Sequence, residues 1–271
     1  MAHPEALTGL IGFAKLPLAA FGLGLARSFG LMQILPVTNR LGLTGMHRAG
    51  AASALALMML PALLPAVEAA PPDGGRMALL AAKEGFIGVL LGVLFAVPFW
   101  TAEVAGALID QQRGLQNAGS GQTDAAHEEE TGTTGLLLVL TMSMLFFVSG
   151  GLHWVLDTVA QSYRVWPAVD LAPHLAPGGA YVLLGLLDSV LRGGFLLASP
   201  LVVAMLLAEM SLAQVSRFAP QLNVFDLSMS VKGLVQVFGL PLYAVFVIAY
   251  LRDGLKPLLD VGNLLSTLAG R

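Results

Sequence analysis

The 271-residue chain contains no cysteine, and only 11% of its residues are charged. The missing thiols exclude a disulfide framework, a thiol nucleophile and any cysteine-ligated metal, and leave the compartment open. The scarcity of charge excludes more. Soluble globular domains carry about 25% charged residues, so this chain has too few to cover a water-facing surface. An excess of basic residues is missing too: the formal net charge is −3 at pH 7, which argues against nucleic acid as the main partner. What is present is apolar. Hydrophobic residues make up 56% of the chain, and the mean hydropathy is +0.78. The composition is that of a membrane protein.

A bilayer core takes about 20 apolar residues in helical form. Six segments meet that length: Leu16–Leu35, Ala49–Val67, Gly85–Ile109, Gly135–Val159, Tyr181–Leu207 and Val235–Leu251. The first has signal-peptide length between Leu16 and Ala26, but Arg27 follows in place of a small-residue cleavage site. It reads as a retained helix. The connectors rich in turn residues are Pro71–Gly75, Gln111–Thr134 and Trp166–Gly179. None is long enough for a second domain, so the expectation is one all-α unit over 1–271 with about six long kinked helices arranged as hairpins.

These helices are not plain lipid-facing rods. Pro61, Pro65, Pro98, Pro200 and Pro241 fall inside or at the edges of the apolar segments, where each removes a backbone donor. The freed carbonyls need neighbouring protein in hydrocarbon. Gly88 and Gly92 form a GxxxG, and Ala102 with Gly106 repeats the spacing; small residues so placed let backbones approach closely. The orientation signal is weak. With six spans and a cytoplasmic amino terminus, seven cations (Lys15, Arg76, Lys83, Arg164, Arg252, Lys256 and Arg271) fall inside, against five outside (Arg40, Arg48, Arg113, Arg217 and Lys232). Either partners set the orientation, or some apolar segments never span lipid.

Several charges interrupt the apolar segments. Arg27 sits mid-segment, at a cost of about 2.5 kcal/mol or more if it faces lipid; it reads as a buried, partner-pairing residue or as one that snorkels. Asp188 and Arg192 stand four apart, acid first, the favourable order for a helical ion pair. Lys83 and Glu84 adjoin the third segment and, as adjacent residues, are expected to contact different neighbours. Glu209 reads as a helix-end residue paired with a neighbouring subunit. Glu103 and Asp110 are seven apart and share a helical face, but no histidine or further acid completes an acid–base site. After Gly114 a glycine-rich polar stretch runs through Asn117, Gly119 and Gly121 to Glu128–Glu130, with the composition of a loop that plugs a pore or merely connects two helices.

Catalytic and metal motifs are lacking. His3, His47, His127, His153 and His174 show no ligand spacing, and no HExxH, GxSxG, Walker A or dinucleotide fingerprint occurs. Neither a cofactor nor an enzymatic activity is expected.

Two stretches carry a family resemblance. One is Lys83-Glu84-Gly85-Phe86-Ile87-Gly88 through Gly92, continuing to Phe99-Trp100 and Ile109-Asp110-Gln111-Gln112-Arg113-Gly114. The other is Ser216-Arg217-Phe218-Ala219-Pro220-Gln221-Leu222-Asn223-Val224-Phe225, followed by Ser228–Lys232. Together they resemble the T subunit of the type III secretion export apparatus (the SctT, YscT, HrcT and SpaR family), which is related to flagellar FliR. Arg27 with Leu35-Pro36, and Ser162-Tyr163 with Trp166-Pro167, extend the likeness across nearly the whole chain.

The resemblance implies a structural and gating subunit of an inner-membrane export channel. It implies a hetero-oligomeric export gate formed with R and S subunits. The switch subunit (U, FlhB-like), the V-type export gate and the needle or inner-rod proteins would adjoin it, and unfolded proteins would pass through it. In the family, the assembled core is raised toward the periplasm. On this basis Asp110, Gln111, Gln112, Arg113, Gly114, Asn117, Gly119 and Gly121 are candidates for a pore plug. Arg27, Glu84, Gly88, Gly92, Glu103, Asp188, Arg192, Glu209, Arg217, Pro220, Asn223 and Lys232 are candidates for subunit packing or buried charge, with Arg217 and Lys232 meeting acidic groups of partners. The alternative is a small-substrate secondary transporter with Arg27, Glu103, Asp188 and Arg192 on its path, although no inverted repeat supports it. A membrane hydrolase using Glu103 and Asp110 lacks a nucleophile.

Overall fold

A computed structural model describes residues 4–40, 45–114, 132–172, 176, 178–218 and 224–270. Every regular element among them is a helix, and the chain is an all-α polytopic membrane-class protein. In order, they are α1 (Pro4–Ile34), α2 (Pro36–Arg40), α3 (Gly45–Ala69), α4 (Gly74–Arg113), α5 (Thr133–Val148), α6 (Gly151–Val165), α7 (Gly179–Phe218) and α8 (Val224–Gly254), then a 3-10 turn (Lys256–Asp260) and α9 (Val261–Ala269). Prolines lie inside α1, α3, α4, α7 and α8, and none ends its helix.

Two of the six expected spans are corrected. Among the described residues, four stretches are long and apolar enough to cross a bilayer: α3, α4, α7 and the run Leu227–Ala269. A fifth is reached only if the bent pair α5 and α6 is taken as one. The expected span Gly135–Val159 is broken because Gly150 adopts φ 86°, a left-handed conformation that turns the chain between the two helices. The expected first span Leu16–Leu35 is not among the four. Arg27, Ser28 and Gln33 fall within this segment and lower its hydropathy, although α1 as a whole is apolar.

The chain divides into two compact units. The first contains Met1–Ala96, Gly150–Leu184 and Pro257–Arg271. Its centre is the packing of α1 along α3 and against the start of α4, with Leu23, Leu31, Leu63, Val67, Leu80, Ile87, Leu91 and Phe95 buried. The α1–α4 crossing is unusually close. A methyl group placed on Gly88 would collide with the Arg27 carbonyl, and one on Gly30 with the Gly85 carbonyl. Amphipathic α9 closes this unit by laying Val261, Leu265 and Leu268 inward and packing on α6.

The second unit contains Val97–Ser149 and Gly185–Lys256. Phe99 of α4 meets Phe146 of α5 edge-on at 5.4 Å between ring centroids, among buried Ile109, Leu138, Met142, Leu197, Leu201 and Met205. Gly106 lets α4 approach the backbone of Gly135 at the start of α5, where no side chain would fit. Coverage is uneven. In the most apolar stretch of α4, 61% of residues are buried, against 22% in α7 and 17% in the last span. α4 and α7 have 40 residues each, hence about 60 Å at 1.5 Å per residue, twice the thickness of the hydrocarbon layer.

Candidate functional site

The polar chemistry of the first unit gathers around Arg27. Its Nε donates to Glu84 Oε2 at 2.6 Å and one terminal nitrogen donates to Glu84 Oε1 at 3.0 Å, a two-pronged pair with neither side chain exposed. The remaining guanidinium donors reach Ser162 Oγ at 2.8 Å and the Trp166 carbonyl at 2.9 Å. The Tyr163 ring lies under the guanidinium, 3.7 Å from its carbon to the ring centroid. Lys83 completes the cluster. Its ammonium lies 2.7 Å from Glu84 Oε1 and donates to the carbonyls of Pro167, Ala168 and Asp170 at 2.8, 3.1 and 2.8 Å. Helices α1, α4 and α6 and the turn after α6 are thereby tied to one buried carboxylate.

In the second unit the centre is Asp110, in the last turn of α4 and 1% exposed. Its carboxylate accepts from Thr134 N at 2.9 Å, Thr134 Oγ1 at 2.6 Å and Gly135 N at 3.2 Å. It thus satisfies amides that the first turn of α5 leaves unpaired. From α8, Gln236 Nε2 donates to Thr134 Oγ1 and to Asp110 Oδ1, the latter at 3.4 Å, while Gln236 Oε1 accepts from Arg113 at 3.0 Å. Beside this group a polar cleft is lined by Gln111, Gln112, Arg113, Glu209, Ser228 and Lys232. Across it Lys232 Nζ meets Glu209 Oε2 at 2.7 Å, and Gln112 donates to the same oxygen at 3.4 Å.

Several expectations change with this geometry. Lys83 and Glu84, expected to reach separate neighbours, also touch each other, because the lysine stem is long enough to fold back over the next residue. Glu209 and Lys232, each expected to meet a partner subunit, meet each other, since α7 and α8 return alongside one another. Gly88 and Gly92, expected at a subunit contact, face α1 of the same chain. Asp110, expected in a plug, is an anchor between helices, and Arg113 is bound to α8. The expected ion pair of Asp188 with Arg192 is not formed; both side chains are exposed on α7, where water competes with the pairing. Arg217 is exposed in the last turn of α7, Gln111 is exposed on α4, and Glu103 is half-buried there. Asn117, Gly119, Gly121, Pro220 and Asn223 lie outside the described residues.

Thr134 and Gln236 escaped the sequence reading. Gln236 had one available signal, as an isolated amide at the edge of an apolar run. Thr134 had another, as a hydroxyl at the point where a polar stretch becomes a helix. Among the described residues no three histidine, aspartate or glutamate side chains converge to hold a metal ion.

A family model described as bacterial export proteins, family 1, matches residues 18–257. The chain belongs to this family. Its relatives include the Yop proteins translocation protein T of Yersinia pestis, 33% identical over 252 residues that make up 92% of this chain and 95% of that protein. The surface presentation of antigens protein SpaR of Salmonella typhimurium is 34% identical over 226 residues, 83% of this chain and 82% of that one. The flagellar biosynthetic protein FliR of Bacillus subtilis is 27% identical over 220 residues, 79% of this chain and 81% of its own. In this member of the export family, the matched region encloses both polar clusters, from Arg27 in α1 to Gln236 in α8.

Proposed function

We infer that the chain is the T-type structural subunit of a type III protein export gate, a multi-pass protein of the bacterial inner membrane that lets unfolded proteins leave the cell. The observation that carries this reading is the match to a translocation protein T over 92% of the chain. The physical character of the helices supports it. α4 and α7 are about twice as long as a bilayer core requires, and α7 and α8 leave most of their apolar length uncovered. Helices of that kind are completed by protein neighbours as well as by lipid.

R- and S-type subunits are the proposed neighbours, with the switch subunit and the V-type gate adjoining. The proposed core is raised toward the periplasm, and the subunit performs no catalysis. Within this reading the stretch from Gly114 to Glu130 is the proposed plug, tethered at the Asp110–Arg113 end of α4. Deleting Gly114–Asp124 then increases ion leakage through the assembled apparatus, and unchanged permeability with intact assembly excludes that assignment.

The test of the function itself is co-expression with R- and S-type subunits followed by native mass analysis, alongside removal of the chain from cells. A hetero-oligomer and loss of protein secretion are the expected results. Substrate-dependent uptake of a small solute by the purified chain alone in liposomes would instead establish a transporter.

A further inference from the structure

Asp110 and Arg113 lie three residues apart on α4, the spacing at which an acid and a base on one helix can pair directly. No direct pair joins them among the described residues. Gln236 of α8 is inserted between them instead. Its amide orientation is fixed from both ends: Arg113 has only donors and occupies Oε1, so Nε2 must point the other way. There it donates to Thr134 Oγ1 and Asp110 Oδ1, and the Thr134 hydroxyl in turn donates a hydrogen bond to Asp110 Oδ1 at 2.6 Å. The donors therefore run one way, from Arg113 through Gln236 and Thr134 to Asp110. A chain of hydrogen bonds in one direction polarises along its length.

We propose that this relay is a two-state latch between α8 and α4. In the docked state Gln236 bridges the two charges. When the first half of α8 withdraws, Arg113 swings onto Asp110 and closes the one-turn pair on α4 itself. Neither charge of the relay is then stranded; the Gln236 amide loses its partners, and the half-exposed Lys232–Glu209 pair opens to water. The remaining contacts of Asp110 go to Thr134 N, Thr134 Oγ1 and Gly135 N and do not involve α8, so α5 stays capped in both states.

The surroundings suit a helix that detaches. The last span is the least covered of the four, with 17% of its most apolar stretch buried. Next to Gln236, Gly233 presents bare backbone to the Arg113 guanidinium, 3.6 Å from a methyl position to Nε. The neighbouring attachment of α8, Lys232 to Glu209, has a carboxylate side chain 47% exposed. The Arg27 cluster has no such fallback for its arginine, because Arg27 and Glu84 stand on different helices and separating them strands Arg27 while Glu84 keeps Lys83.

The chain has no cysteine, so single cysteines at exposed Gln111 on α4 and Val237 on α8 can carry a pair of nitroxide labels on the full-length protein in bilayer discs. Gln236→Ala is expected to lengthen or split the label distance. The amides of Thr134 and Gly135 should meanwhile keep their hydrogen-exchange protection within about threefold. Gln236→Met, which keeps the side-chain volume, provides the same reading if the alanine variant does not fold. An unchanged distance overturns the latch. So does a longer distance with loss of protection at Thr134 and Gly135, because the three helices would then part as one body.

Discussion

Arg27 and Glu84, 57 residues apart in sequence, form a two-pronged ion pair with neither side chain exposed. Removing Glu84 leaves both Arg27 and Lys83 without a carboxylate, whereas removing Arg27 leaves Glu84 paired with Lys83. Glu84→Ala is therefore expected to destabilise the first unit by about 3–5 kcal/mol, and Arg27→Ala by less. Arg27→Met combined with Lys83→Met and Glu84→Leu, which removes all three charges, is expected to lose much less than Glu84→Ala. Thermal unfolding in detergent, followed by circular dichroism, distinguishes the two cases. A triple variant as unstable as Glu84→Ala would show that packing, not charge, dominates the site.

The α1–α4 crossing is close because only glycine hydrogens stand between the two backbones. Gly88→Ala places a methyl group against the Arg27 carbonyl and should cost about 1–3 kcal/mol through overpacking. Gly185→Ala in α7 is the control, because its methyl group meets nothing within 4 Å. It is expected to be neutral or stabilising by about 0.5–1 kcal/mol. Equal unfolding midpoints for the two variants would contradict the close crossing.

Asp110→Ala strips the start of α5 of its acceptor. The loss combines a missing helix cap, about 0.5–2 kcal/mol, with buried donors left unpaired, about 1–3 kcal/mol. Exchange of the Thr134 and Gly135 amides reads the effect locally and should accelerate first at those two positions. Uniform acceleration along α5 would mean the carboxylate acts on the unit as a whole.

The Glu209–Lys232 pair behaves differently because the glutamate side chain is 47% exposed. Glu209→Gln is expected to change stability by less than about 1 kcal/mol, and the difference should shrink further as salt is raised. A salt-independent loss of several kcal/mol would place the pair in a far drier setting than the cleft beside Asp110.

The helical class and most of the apolar helices were legible in composition alone, because hydrocarbon-length apolar runs have few other uses. Arg27, Glu84 and Lys83 were legible as charges needing partners. Their partners were not, since a residue 57 positions away leaves no local pattern. Lys83 shows a second limit: helical spacing rules describe where Cβ atoms point, and a four-carbon stem can bend past them. Asp110 was misread with the glycine-rich stretch that follows it, because composition changes after Gly114 while its carboxylate points back to Thr134. The break at Gly150 was hidden inside an unbroken apolar run, where one left-handed residue outweighs the hydropathy of its neighbours.

The Arg27–Glu84 pair also constrains the order of events at the ribosome. Arg27 emerges 57 residues before Glu84, so during that interval the guanidinium has no mate from its own chain. Leaving it among acyl chains would cost about 2.5 kcal/mol or more. The pair therefore favours α1 settling together with the start of α4 rather than ahead of it.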